Sequence, residues 1–206
     1  MEIALQQYQH FLIVDLEATC CNKGSIPKYE METIEIGAVI IEATKLIAIN
    51  EFSIFIRPVR HKILTPFCTK LTTITQQDVD GALTYPNAIS IFKEWLYQYE
   101  NFLFCSWGDY DNTQLQRDSD FHQVPFPIGA PHVNIKKLFS STQGLRKKYG
   151  MTKALKAAKL ELQGTHHRGI DDARNMGRLM PYILGRKPLP SNHSSEIAEV
   201  KNIRTE

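Results

Sequence analysis

Two acidic residues, Asp15 and Glu17, directly follow an unbroken apolar run at residues 11–14. A continuous apolar run predicts a buried strand, and positions i and i+2 of a strand face the same side. The two carboxylates should therefore project together from the end of this strand. Two buried acids need compensation, which a hard divalent cation with oxygen ligands commonly supplies. The alternative is that the strand has already reached solvent at Asp15.

A third candidate acid, Asp111, lies where a predicted strand ends and a helix begins, within the stretch 105–111. It could add a carboxylate to the same cluster. It could also cap the helix by accepting hydrogen bonds from backbone N–H groups.

A histidine and an acid frame another junction between a loop and a helix, at residues 165–175. His167 precedes Asp172 by five residues, so both side chains can face one cleft. A histidine of near-neutral pKa is suited to take a proton from attacking water, whereas the neighbouring His166 is interpreted as structural. Together the three segments offer the carboxylates that two-metal phosphodiester hydrolysis requires.

The elements that must position these residues follow from hydrophobic periodicity. Continuous or β-branched apolar runs predict strands at residues 11–14, 34–41, 46–56 and 101–106, while residues 133–135 form a fifth strand or the approach to a helix. Helical spacing predicts helices over residues 86–99, after Asp111, over 153–160 and over 170–184, the last loosened by Pro181. The predicted fold is α/β, with a central mixed five-stranded sheet and helices on both faces.

Length and composition indicate one domain. A chain of 206 residues with 43% hydrophobic content can bury one sizeable core, which we assign to residues 1–185. Residues 186–206 are polar and predict a mobile tail.

The bulk charge and the cysteines do not indicate a function. A formal net charge of +2 is too small to identify a nucleic-acid binder. The four cysteines lack zinc-site spacing and are interpreted as reduced thiols. Residues 1–10 lack a basic start and residues 11–14 are too short to span a membrane, so a cytoplasmic protein without membrane association is expected.

Six stretches, taken together and in order, resemble the DEDDh branch of the ribonuclease-H-like 3′-to-5′ exonucleases. Within that branch the chain is most similar to the Eri-type group, which is related to the histone-mRNA 3′-end exonuclease. The likeness runs from about residue 10 to residue 184 and is carried by residues 13–20, 34–38, 71–75, 106–111, 134–137 and 167–175.

The resemblance implies roles for five residues. The metal ligands would be Asp15, Glu17, Asp111 and Asp172, and the general base would be His167.

Two of these assignments rest on the spacing in the family. Asp172 is chosen over Asp171 because the family's last acid lies five residues after the histidine. Asp111 is chosen over Asp109 because the family's third acid lies four residues before an apolar helix residue, here Leu115.

The resemblance also implies substrate contacts near the first two motifs. Ala18, Thr19 and Thr73 are candidates for the ribose and base pocket, and Trp107 is a further one, although each could instead be a core or capping residue. The densest basic stretch comprises Arg146, Lys147, Lys148, Lys153, Lys156 and Lys159, and it is either a solvated helix face or a phosphate contact.

The implied activity is that of a 3′-to-5′ exoribonuclease with two divalent cations, Mg²⁺ or Mn²⁺. It would release nucleoside 5′-monophosphates from the 3′ ends of single-stranded nucleic acid. RNA is favoured over DNA because the likeness is closest to the RNA-acting group. A DNA exonuclease and a catalytically silent RNA-binding module remain alternatives, and no protein partner is indicated.

Overall fold

The computed structural model describes residues 7–190, which form a mixed sheet covered by helices. The elements follow in the order β1 (His10–Ala18), β2 (Thr33–Glu42), β3 (Ile47–Arg57), α1 (Pro66–Thr72), α2 (Gln76–Asp80), β4 (Leu83–Thr84), α3 (Tyr85–Leu96), β5 (Phe102–Ser106), α4 (Tyr110–His122), β6 (His132–Asn134), α5 (Ile135–Thr142), α6 (Met151–Ala157) and α7 (Gly169–Ile183). Within this part of the chain, no helix combines the length and apolar character needed to cross a bilayer.

The sheet has the strand order β4-β3-β2-β1-β5-β6. Strands β1, β2 and β3 form the predicted antiparallel meander, and β5 and β6 then continue the sheet in parallel with β1. The fold class and the mixed sheet are confirmed. The structure adds one strand to the five that were predicted, the two-residue β4, which pairs with the end of β3.

Alternate residues of β1 supply two separate cores. Phe11 and Ile13 belong to the core beneath α5, α6 and α7, while Leu12 and Val14 belong to the core beneath α3 and α4. The continuous apolar run is explained by this burial on both faces, since each residue packs against one helical layer or the other. β1 is thereby fixed at the centre of the sheet.

Two short helices, α1 and α2, were not predicted. They have seven and five residues, which is too short to display an apolar period. Their N-caps are visible in the sequence, because the side chains of Thr65 and Thr75 accept hydrogen bonds from the backbone N–H groups of Cys68 and Asp78.

The helices and strands for which the sequence predicts a range lie close to their predicted positions, while α5 has no predicted range. The predicted helix that includes Tyr99 ends at Leu96, and residues 133–135, expected as a fifth strand or as the approach to a helix, form the end of β6 and the first residue of α5. Pro181 lies inside α7 as predicted.

The first residues of the predicted tail contact the domain. Arg186 donates hydrogen bonds to the carbonyl oxygens of Ala43 and Thr44, and the backbone N–H of Leu189 donates to Gln143. The rest of that predicted tail, from residue 191 onward, lies outside the described residues.

Candidate active site

Asp15 and Glu17 lie on the face of the sheet that α7 covers. They continue the alternation of Phe11 and Ile13, whose side chains pack beneath that helix. Phe11 and Ile13 pack against apolar residues of α7. Asp15 and Glu17 lie further along β1, beside the N-terminal end of that helix. This is the same-face arrangement that the i, i+2 spacing predicted.

Two glycines allow α7 to approach the sheet at this point. Gly37 lies opposite Asp15 in the antiparallel pair β1–β2. A β-carbon at Gly37 would lie 2.0 Å from the carbonyl carbon of Gly169, and one at Gly169 would lie 2.9 Å from the carbonyl oxygen of Asp15. Side chains are excluded at both positions, so the first turn of α7 rests directly on the backbone of β1 and β2.

That close approach brings Asp172 to the acids of β1. Asp172 is only 4% exposed, and one carboxylate oxygen each from Asp15, Glu17 and Asp172 lie within 4.8 Å of one another. The predicted grouping of these three acids is thus present in the structure.

Asp111 reaches the cluster from the neighbouring strand end, and Asp109 does not. The Oδ1 atom of Asp111 accepts a hydrogen bond of 3.1 Å from the backbone N–H of Leu16, between the two acids of β1, and the side chain is buried. Asp109 is exposed and pairs with Lys137 at 2.9 Å. Of the two candidates for the third acid, the structure brings Asp111 to the cluster and leaves Asp109 outside it, and the role of Asp111 as a metal ligand stays a prediction.

The cluster is electrostatically unfavourable without a cation. Burial raises the pKa of Asp15 well above its usual range, and the nearby charge of Asp111 raises it further. Burial, followed by repulsion from Asp172, raises the pKa of Glu17 to about 8, and burial raises that of Asp111 to about 6. Carboxylate oxygens crowded together in this way fit a hard divalent cation.

His167 lies at the edge of the cluster in a conformation set by Asp172. Its Nδ1 atom is 4.0 Å from Oε1 of Glu17, and its backbone N–H donates to Oδ2 of Asp172 at 3.0 Å. The residue has a φ of 65°, the left-handed region that side chains rarely adopt. Burial and the neighbouring His166 lower the pKa of His167, which favours the neutral imidazole.

His166 has a direct contact with the cluster. Its Nδ1 atom lies 2.9 Å from Oδ2 of Asp172, and its ring stacks on that of His167 at 3.9 Å between centroids. The interpretation of His166 as structural is compatible with this contact, because the ring orients both Asp172 and His167.

The sequence model of the exonuclease family (RNase_T) matches residues 12–180. This range includes the four clustered acids and the histidine beside them: Asp15, Glu17, Asp111, His167 and Asp172. This chain belongs to the exonuclease family. Within it, the chain is a member of the DEDDh branch and of the Eri-type group, as the resemblance implied.

Two curated relatives illustrate the similarity of this exonuclease domain to known proteins. It is 31% identical over 191 residues to ERI1 exoribonuclease 3 of Mus musculus, covering 88% of this chain and 55% of that protein. It is 30% identical to the 3′-5′ exonuclease Snipper of Drosophila melanogaster, covering 86% of this chain and 70% of that protein. The chain spans about half the length of several of the curated relatives that it matches.

A solved structure supports the same placement. The nuclease domain of 3′hExo, a DEDDh family member bound to rAMP, superposes with a TM-score of 0.80 at 26% identity. The match covers 89% of this chain and 96% of that one, and the fold of this exonuclease domain is accordingly ribonuclease-H-like.

An ion pair that the sequence did not assign holds the junction between His167 and α7. Glu35 is fully buried, and its carboxylate accepts hydrogen bonds from Nε of Arg168 at 3.1 Å and from the backbone N–H of Gly169 at 3.0 Å. Both residues lie inside the stretches that carry the family likeness, which was the available signal. Their pairing spans 133 residues and is invisible to local spacing.

Two candidate substrate residues of this exonuclease domain, Ala18 and Thr19, follow Glu17 directly and are buried. The hydroxyl of Thr19 accepts a hydrogen bond from the backbone N–H of Glu32. The carbonyl of Ala18 is contacted by the thiol of Cys68. Their side chains support the end of β1, and a role in binding substrate stays a prediction.

Thr73 and Trp107 differ in their surroundings. Thr73 is exposed at the end of α1 with a φ of 62°. Trp107 packs against Phe139, and its indole N–H donates to the carbonyl of Tyr149. The contacts of Trp107 are those of a packing residue, the alternative that the sequence left open.

Proposed function

We propose that the chain is a metal-dependent 3′-to-5′ exoribonuclease that releases nucleoside 5′-monophosphates from single-stranded 3′ ends. The observation that carries the proposal is the convergence of Asp15, Glu17 and Asp172 within 4.8 Å, with Asp111 bonded to the strand between the first two. A silent binding module would have no use for four acids whose pKa values are all raised by burial, and at Asp15 and Glu17 also by repulsion from the other acids.

The residues that would hold two divalent cations are the four acids, with Asp15 and Asp172 on either side of the cleft. Bound there, the cations supply Lewis acidity that activates water and stabilises the leaving 3′ oxygen. The acids would hold the cations between β1 and the first turn of α7, and the scissile phosphate would be attracted there by the cations and not by the carboxylates. Burial excludes bulk water from three of them, because Glu17, Asp111 and Asp172 are each less than 10% exposed.

His167 is proposed as the general base. Its lowered pKa keeps an imidazole nitrogen free to accept the proton of the attacking water at neutral pH. Asp172 holds its backbone, and His166 supports its ring from one side. Loss of the imidazole should remove proton transfer while the acid cluster stays assembled.

RNA is proposed over DNA as the substrate. The support comes from the mouse relative, which is named an exoribonuclease, and from the solved nuclease domain that holds a ribonucleotide. A cytoplasmic location and the absence of a membrane partner stay predictions from the sequence.

The decisive experiment incubates the chain with 5′-labelled single-stranded RNA and DNA of one sequence, in Mg²⁺, in Mn²⁺ and in chelator. We expect a ladder that shortens from the 3′ end, needs metal and runs faster on RNA. Asp15→Ala should abolish the ladder, whereas Asp171→Ala, which changes an adjacent acid of α7 outside the cluster, should retain it.

Each other outcome has a definite meaning. Faster digestion of DNA would assign a DNA exonuclease. Measurable binding of RNA with no digestion in either metal would favour the silent binding module and overturn the proposal.

A further inference from the structure

The positive charge of the chain is concentrated in one segment. No aspartate or glutamate occurs between Asp120 and Glu161, a stretch that forms the end of α4, β6, α5 and α6. It contains eight lysines and arginines: Lys136, Lys137, Arg146, Lys147, Lys148, Lys153, Lys156 and Lys159. Because the whole chain has a formal net charge of only +2, the remainder is net negative.

Part of this segment lies beside the acid cluster. Ile13 and Cys105 are neighbours in β1 and β5, and Asp15 and Trp107 follow them by two residues each. Trp107 packs into the same core as Ile13 and donates a hydrogen bond of 3.1 Å to the carbonyl of Tyr149. The loop that contains Tyr149 is thus attached next to the strand that carries Asp15.

Four basic residues lie within four positions of Tyr149 in the chain: Arg146, Lys147, Lys148 and Lys153. We call them the near basic surface. All four are exposed, and the ammonium of Lys153 lies 4.1 Å from the centre of the Tyr149 ring. Among residues 7–190, none of the four forms an ion pair with a carboxylate.

Two basic side chains that flank the loop after β1 face carboxylates. Arg60 lies 3.9 Å from the carboxylate of Asp118, and His61 lies 3.0 Å from that of Glu30. The near basic surface differs from Arg60 and His61 in having no carboxylate partner among residues 7–190. Its charge complements the phosphates of a polynucleotide.

We propose that the near basic surface binds the sugar-phosphate backbone of the substrate strand on the 5′ side of its terminal nucleotide. The inference rests on the proposed function, since it takes the acid cluster as the site of the 3′ end. The contacts are to phosphates, so they position the strand without reading its sequence. They would hold a long strand between successive cleavages and leave the reaction of a dinucleotide unaffected.

The chain offers a matched control within the same segment. Lys156 and Lys159 are also exposed, but they lie near Ala158, whose carbonyl accepts a hydrogen bond from Tyr182. Tyr182 is 10 residues beyond Asp172, about 15 Å along α7 from the acid cluster. We call Lys147→Gln/Lys148→Gln the near variant and Lys156→Gln/Lys159→Gln the far variant. Each removes two positive charges, the first from the near basic surface and the second from a position further from the acid cluster.

The first measurement is the affinity for a labelled 12-nucleotide single strand, RNA or DNA, in chelator at several salt concentrations. For the near variant we expect the slope of log affinity against log salt to shrink by about 1.4, which is about 0.7 for each of two phosphate contacts, and the affinity at low salt to fall about fivefold. The far variant should keep the parent slope. Equal losses from RNA and DNA would identify phosphate as the group recognised, and a loss confined to RNA would overturn a backbone contact.

The second measurement is hydrolysis of the 12-nucleotide strand and of a dinucleotide in Mg²⁺. The near variant should lose kcat/KM on the long strand and keep the parent value on the dinucleotide. An unchanged salt slope, or equal losses for the near and far variants, would overturn the proposal. If the parent hydrolyses neither substrate, the proposed function fails, while the binding measurement in chelator still tests the surface.

Discussion

Glu35 and Arg168 form an ion pair whose acid is fully buried while its base is 27% exposed. The carboxylate also accepts the N–H of Gly169, so one residue of β2 fixes the backbone on which His167 and Asp172 are carried. The pair is not one of the groups of carboxylates that converge in the cluster, and it acts on the site by holding the start of α7.

Arg168→Met should destabilise the protein by about 3 kcal/mol, because it leaves the buried carboxylate of Glu35 without its charge partner. Urea unfolding in chelator measures the change. Arg174→Met is the control, since Arg174 pairs with Glu51 at a solvent-exposed position and should cost less than about 1 kcal/mol. Equal losses for the two variants would contradict a special role for the buried pair.

Asp111→Asn should lower metal-dependent exonuclease turnover by at least about a hundredfold, because even outer partners of metal ligands cost about 10- to 100-fold. Asp109→Asn, two residues away, should leave turnover within about twofold, because an exposed pair with Lys137 contributes little. Single-turnover assays at saturating Mg²⁺ make the comparison. The opposite ranking would reassign the third acid to Asp109.

Gly37→Ala should destabilise the protein by at least about 2 kcal/mol and reduce activity, because the new methyl group would overlap the backbone of Gly169. α7 would have to move away from β1 and carry Asp172 with it. Gly129→Ala adds the same methyl group where no atom lies within 4 Å and should be neutral. Thermal unfolding and Mg²⁺ titration report the two effects, and a neutral Gly37→Ala would refute the close approach.

The stability of the metal-free protein should fall as the pH rises from about 4.5 to 8. The folded state raises the pKa of Glu17 from 4.5 to about 8, so it binds more protons than the unfolded state over this window. One such group lowers the free energy of unfolding by at most about 1.4 kcal/mol per pH unit. Urea unfolding in chelator across this range should show the decline.

Mg²⁺ should accordingly stabilise the protein more at pH 8 than at pH 6, since the cation replaces the protons that the acids otherwise bind. Glu17→Gln should flatten the pH dependence, whereas Glu161→Gln, at an exposed position, should preserve it. A parent protein whose stability in chelator rises with pH over this window would disprove the repulsion argument.

Much of the candidate site is determined by the sequence. The apolar run before Asp15 makes β1 a central strand, and the alternation of a strand then puts Asp15 and Glu17 on one face. The five-residue spacing of His167 and Asp172 likewise follows from the local chain, because both belong to one loop and the first turn of one helix.

Other features were decided by the tertiary structure. Asp109 and Asp111 are equivalent by local pattern, and only the position of α4 beside β1 buries one and exposes the other. The pairing of Glu35 with Arg168 and the contact of Gly37 with Gly169 join segments more than 130 residues apart. Such contacts depend on how α7 packs against the sheet, and local spacing carries no information about the distance between two elements once they have packed.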